Sequence, residues 1–199
     1  MAEGPSYNVP FRRRREGKTD YQFRRRLIQS GLPRLVVRCS LKHTTVQLIK
    51  AKVDGDDVIV SANSSELSKS YNWHRTCGNV PSAYLTGLIC GYRAAAKGVK
   101  EAVLDIGLQF PSRGARVFAT LKGFLESGVK VPHNESILPD EERIEGRHIA
   151  DYAAKVSTNN EVYSRIFSRY LSKDLPPQEI SKHFSSVKEK IIASFKNMS

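Results

Sequence analysis

The sequence has little cysteine, and Cys39, Cys77 and Cys90 form no paired pattern. An odd, widely spaced set excludes a disulfide framework and fits reduced thiols of a cytosolic protein. There is no run near the roughly eighteen apolar residues of a membrane-spanning helix, and the N-terminal stretch carries no hydrophobic segment of the secretory kind. No membrane partner is therefore expected. Neither G-x-x-x-x-G-K-[ST] nor G-x-G-x-x-G occurs, which excludes the common phosphate-cradling loops of nucleotide enzymes. Acidic residues are also in deficit: 20 Asp and Glu face 32 Lys and Arg, for a formal net charge of +12 over 199 residues. A surplus of that size points to a polyanion.

The surplus is concentrated. Residues 1–40 hold ten Lys/Arg against three Asp/Glu, residues 41–150 fourteen against twelve, and residues 151–199 eight against five. Within the first segment Arg12, Arg13, Arg14 and Arg15 run unbroken, followed by Lys18 and by Arg24, Arg25 and Arg26, with Tyr7, Phe11, Tyr21 and Phe23 interleaved. Guanidinium groups bind phosphate bidentately and stack on bases. Aromatic rings stack on unpaired bases, at about 1–3 kcal/mol per base. Too few aliphatic side chains accompany them for the segment to fold alone. Residues 1–30 thus read as an extended basic arm that becomes ordered on RNA, against the blander reading of a solvated tail.

From residue 31 the pattern is that of a folded body. Arg34 to Ser40 is rich in β-branched residues and follows Pro33. Thr44 to Val53 alternates, Asp54-Gly55 signals a hairpin, and Val58 to Ala62 forms a third strand of an antiparallel meander. Residues 63–78 are polar and mixed. Asn79 caps a helix with Pro81 in its first turn, Val80, Tyr84, Leu88, Gly91 and Ala95 recur at helical spacing, and Gly98 ends it. Gly87, Gly91, Ala94 and Ala95 keep that helix thin enough to lie close on a sheet. Glu101 to Gly107 reads as a buried strand reached by a parallel crossover. Ser112 is expected to cap a further helix that Gly128 closes. The order β-β-β-α-β-α predicts an α/β core of ribonuclease H-like topology over residues 31–130. Residues 131–199 form a loop and helical C-terminal extension: a polar stretch over 132–147, one helix through Val162, Ile166 and Tyr170, a break at Pro176-Pro177, and a last amphipathic helix over 178–196. Its apolar stripe either packs on its own domain or docks on RNA or a neighbouring protein.

Ribonuclease H-like order raises the possibility of a metal-dependent nuclease, which needs converging carboxylates. Only Asp105 stands at a strand end, whereas Asp54, Asp56 and Asp57 crowd a turn where Asp is favoured for backbone reasons. His74 and Cys77 have H-x-x-C spacing but no second pair, so no metal site is expected. Cys39 and Cys90 read as core fillers. Trp73 is a local core plug or, on the sharper reading, a base-stacking platform.

Several strings, taken in order, are similar to one family. They are Arg-Arg-Arg-Arg-Glu-Gly-Lys-Thr-Asp-Tyr at 12–21, Pro-Arg-Leu-Val-Val-Arg at 33–38, Gly78-Asn79 with Pro81, Ala-Tyr-Leu-Thr-Gly-Leu at 83–88, Glu-Ala-Val-Leu-Asp-Ile-Gly-Leu at 101–108 and Arg-Val-Phe-Ala-Thr-Leu-Lys-Gly at 116–123. Together they resemble the universal large-subunit ribosomal protein that binds 5S rRNA, protein eighteen in bacteria and archaea and protein five in eukaryotes. The resemblance implies a structural constituent of the cytoplasmic large ribosomal subunit, without catalysis, cofactor, metal or small-molecule substrate. It implies contact with 5S rRNA, large-subunit rRNA and neighbouring proteins of the central protuberance. Carried over by position, Arg12 to Arg15, Lys18, Tyr21 and Arg24 to Arg26 would touch 5S rRNA. Arg34, Arg38 and Lys42 would form a second contact surface. Phe23 stands where the family often has a basic residue and would suit base stacking, and Cys39 replaces a common cation. The length of 199 residues is archaeal in character. The rivals are the nuclease and a free RNA chaperone. If the arm neutralises about six phosphates, the logarithm of affinity for isolated 5S rRNA falls with the logarithm of salt concentration at a slope of about −4 to −5. A filter-binding titration across salt checks this, and a flat response contradicts it.

Overall fold

The computed structural model describes residues 4–171 and 176–196. The arm is helical where an extended segment was expected: α1 spans Arg12–Arg15 and α2 spans Tyr21–Gln29. Arginine and glutamine are good helix formers, and Asp20 supplies a cap, its carboxylate accepting from the N–H groups of Gln22 and Phe23 at 2.9 and 3.1 Å. Gly17, with φ at +62°, turns the chain between the two helices. Leu27 is the buried residue of α2.

The body follows as β1 (Arg34–Cys39), β2 (Thr44–Ala51), β3 (Asp56–Asn63), α3 (Ser64–Ser70), α4 (Val80–Ala96), β4 (Val103–Asp105) and α5 (Arg116–Leu125). It is a mixed α/β arrangement on a four-stranded sheet of order β3-β2-β1-β4. The meander is antiparallel, and β4 lies parallel to β1, with Arg34 opposite Val103 and Val36 opposite Asp105. Helix α3 falls in the stretch expected to be irregular. Asn63 and Glu66 form a reciprocal capping box there, so the Asn-x-x-Glu spacing outweighs a run of serines with weak helix propensity.

Helices α4 and α5 cover one face of the sheet. Asn79 caps α4 as expected, accepting from Ser82 N–H at 3.0 Å, and its residues from Val80 to Gly91 are buried. The small residues of α4 serve a different neighbour from the one expected. A side chain at Gly87 would run into the Thr120 carbonyl of α5, and one at Gly91 into Phe124 and Ser127. Reciprocally, a side chain at Gly123 of α5 would meet the Tyr84 carbonyl. The glycines thus bring two helix backbones together rather than a helix onto strands. Ser112 caps nothing: its N–H bonds Phe110 O in a turn, and α5 begins after Ala115 without a side-chain cap.

Beyond the core come α6 (Glu141–Glu145), α7 (Arg147–Val156), α8 (Asn160–Ile166), α9 (Ser168–Leu171) and α10 (Ile180–Lys196). Helix α6 lies in the stretch read as loop, and α8 and α9 divide the single helix expected there. Ile180, Phe184, Val187 and Ile191 of α10 join the same apolar cluster as Leu85 and Leu88 of α4, so its stripe packs on the chain's own core. Strand β3 is a sheet margin. Arg93 and Lys97 of α4 donate to its Ser61 and Ile59 carbonyls at 2.6 and 2.5 Å. Among the described residues no helix is long and apolar enough to cross a membrane.

The helix crossing is open to test. Gly87→Ala should lower unfolding stability by about 2–3 kcal/mol through overpacking against backbone that does not give way. Urea denaturation followed by circular dichroism checks this, and an unchanged midpoint would show that the two helices can separate freely.

Candidate nucleic-acid interface

Alternation along β1 puts Arg34, Val36 and Arg38 on the sheet face opposite α4 and α5. That face meets the arm through a chain of ion pairs. Arg24 of α2 donates to Asp56 at 2.8 Å, and Asp56 accepts from Arg34 at 2.9 Å. Arg34 then donates to Asp105 at 2.7 Å, and Asp105 accepts from Arg38 at 3.0 Å. Arg38 is held further by the carbonyls of Val37 and Asp105 at 2.9 and 2.8 Å. The second function of Asp105 is to accept the Gly107 N–H at 2.9 Å. Burial alone pushes the Asp56 carboxyl up, but hydrogen bonds and charge from Arg24 and Arg34 outweigh it and hold it below the usual carboxylate range.

Between α2 and this face lies a cleft of about 430 Å³, lined by Arg13, Lys18, Phe23, Arg24, Arg38 and Gln47 over a floor of Val36 and Ile49. Arg13 donates to Thr19 at 2.8 Å, and Lys18 pairs with Glu16 at 2.8 Å. Outside the cleft, Arg14, Arg15, Arg25 and Arg26 are exposed and have no ion pair among the described residues. Arg12 meets Glu16 only at 3.8 Å. Phe11 and Tyr21 pack with ring centroids 5.0 Å apart, and Phe23 keeps 38% of its surface exposed. The arm therefore offers free cations and open ring surface on one side of a folded body.

Two sequence-predicted contacts are corrected. Arg34 is 3% exposed and its guanidinium is divided between Asp56 and Asp105, so it is a structural cation rather than an RNA contact. Trp73 is fully buried, its indole N–H donating to Thr76 O at 3.2 Å and its ring stacked on His183 at 5.1 Å, which leaves no face for a base. Lys42 is exposed but lies elsewhere, beside a separate cleft shared with His43, His74 and Arg75. The sequence reading also missed residues. Sequence alone reads Asp56 as a turn former and Asp105 as a lone carboxylate. They are the acceptors that organise the cations, and a basic i, i+4 pair on one strand face was the available signal. Gln47, on the same face of β2, carried no signal of its own.

The arrangement offers little to catalysis. Among the described residues no three His, Cys, Asp or Glu side chains gather as a metal site. Asp105 is engaged by two arginines. Burial pushes the Cys90 thiol up to about 12 and also raises that of Cys39, so neither is an activated nucleophile. A sequence profile of the family described as ribosomal large subunit proteins 60S L5, and 50S L18, matches residues 5–100 and 94–134. Over 199 residues the chain is 49% identical to the large ribosomal subunit protein uL18 of Aeropyrum pernix, covering 100% of this chain and 93% of that protein.

Because the folded Asp56 carboxyl is held low, its contribution to stability is present above pH about 4 and is lost as pH falls through the folded value. Asp56→Asn should lower stability at neutral pH by about 1 kcal/mol, a charged hydrogen-bond figure reduced for partial exposure. It should also flatten the loss on acidification. Urea midpoints of both proteins between pH about 3 and 7 check this. Parallel pH curves would show that the contact does not persist in solution.

Proposed function

The chain belongs to the family of large-subunit ribosomal proteins that comprises 60S L5 and 50S L18, and on that premise we propose that its basic arm anchors it on 5S rRNA. It is a structural constituent of the large ribosomal subunit that binds RNA, and it is not an enzyme. The arm, residues 1–30, attaches to 5S rRNA. The α/β body of residues 31–130, with the C-terminal extension 131–199 whose helix α10 packs on the core, presents that arm and links 5S rRNA to large-subunit rRNA and neighbouring proteins in the central protuberance of the cytoplasmic ribosome.

The observation that carries this reading is the division of the arm's cations. Arg24 is spent on docking α2 to the sheet, while Arg14, Arg15, Arg25 and Arg26 face solvent without an ion pair among the described residues. Arg25 and Arg26 stand on α2, which Arg24 and the buried Leu27 dock on the body, and Arg14 and Arg15 stand on α1 before it; exposed guanidinium groups so placed suit phosphate contact. Arg12, Arg13, Lys18, Tyr21 and Phe23 extend the same surface, and Arg38 and Lys42 would meet RNA beyond it. The strand order β3-β2-β1-β4, with β4 parallel to β1, supports reading the body as ribonuclease H-like. The organising carboxylates are neutralised by arginines, which leaves such a scaffold without a nuclease centre.

Deleting residues 1–26 should leave the sheet, α4 and α5 intact, because the core lies beyond them. The same deletion should weaken binding to 5S rRNA by about a hundredfold or more, since the phosphate contacts go with it. Circular dichroism and filter binding on the truncated chain decide the matter. Undiminished binding by a folded truncation would sink the anchor.

A further inference from the structure

We propose that the cleft between α2 and the open face of the sheet receives a single unpaired nucleotide of the bound RNA, its base on Phe23 and its edge read by Gln47. The inference rests on the RNA-binding reading above and goes beyond it by assigning a pocket, a ligand unit and a reading residue.

The cleft, about 430 Å³, falls in the size range of small-ligand sites. It is too small for a duplex, and proteins read RNA sequence chiefly from unpaired bases splayed out of the helix. Its parts match a nucleotide in kind. Val36 and Ile49 make an apolar floor. Phe23 brings a ring that is 38% exposed and has no aromatic partner among the described residues. The Gln47 carboxamide makes no side-chain hydrogen bond among the described residues. It lies in the middle of β2, half-buried, with both a donor and an acceptor to offer. A carboxamide of that kind, open to solvent beside an apolar floor and without a protein partner among the described residues, suits the mixed donor and acceptor edge of a base.

The charge also fits. The acids lining the cleft are all committed: Asp20 caps α2, and Asp56 and Asp105 are held by Arg24, Arg34 and Arg38. Arg13, Lys18 and Arg38 line the same cleft, held by Thr19, Glu16 and Asp105 respectively, and put positive charge where the phosphates flanking the base would lie. Arg38 is fixed in advance. Three oxygens hold its guanidinium, and Gly107 backs it so closely that a side chain there would lie 2.8 Å from Arg38 Cζ. Its side chain nonetheless keeps 47% of its surface exposed. A cation already immobilised loses little freedom on binding.

The test uses full-length protein and transcribed 5S rRNA in filter binding, with Phe23→Ala, Gln47→Ala and, as a variant outside the cleft, Arg14→Ala. Phe23→Ala should weaken binding about tenfold, and Gln47→Ala about fivefold. Neither should alter the salt slope, because neither removes a charge. Arg14→Ala should reduce that slope. Ultraviolet crosslinking should join the peptide containing Phe23 to one unpaired nucleotide. Wild-type affinity in both cleft variants, with Arg14→Ala still weakened, would overturn the pocket and leave the anchor standing. No binding by the wild-type protein would sink the anchor itself. Displacement of the RNA by an equimolar free nucleoside monophosphate would overturn the assignment to a nucleotide within RNA.

Discussion

Arg34 and Asp105 are opposite charges set almost entirely out of water, 2.7 Å apart, across the parallel junction of β1 and β4. Neither tolerates the loss of the other. An uncompensated charge at that depth costs far more than the pair contributes when intact. Each partner also carries a second commitment. Arg34 fixes Asp56 at the start of β3, and Asp56 fixes Arg24 of the arm. Asp105 fixes Arg38 at the rim of the cleft. The sheet junction, the hairpin, the arm helix and the arginine at the cleft's rim thus share one buried contact.

That arrangement separates two uses of arginine that look alike in a sequence. Some arginines are consumed in building the body, with terminal guanidinium nitrogens paired to carboxylates. Others are left to a partner. The built ones tie α2 and the sheet together, and exposed ones such as Arg25 and Arg26 stand on the element so held. A net charge of +12 therefore overstates the number of available phosphate contacts and says nothing of where they lie.

Much of the fold was legible because it is written in short-range signals. The Asp54-Gly55 turn, the Asn79 cap with Pro81, and the stripe of Ile180, Phe184, Val187 and Ile191 act locally, and the structure uses them as read. Three of the misreadings share a cause, which is that the partner lies far along the chain. Arg34 looked like an RNA contact because its acceptors, Asp56 and Asp105, are 22 and 71 residues away. Trp73 looked available because His183, which covers its ring, lies on the last helix. The glycines of α4 pointed to a close approach but could not name α5 as the neighbour. Helix α3 was missed for a different reason, since its Asn63–Glu66 box was present in the sequence and a run of serines masked it.

The margin of the sheet at β3 has a bearing on the protein before it meets any RNA. An eight-residue outer strand is a ready template for a strand from another molecule. Two of its outward carbonyls, those of Ile59 and Ser61, are already occupied by Lys97 and Arg93, which also place positive charge along the border. A second copy approaching edge to edge would have to displace both side chains, and Arg93 is held further by Glu66 at 2.7 Å. The border of the sheet is thus already partly paired within the chain, which discourages edge-to-edge addition of a strand from another copy.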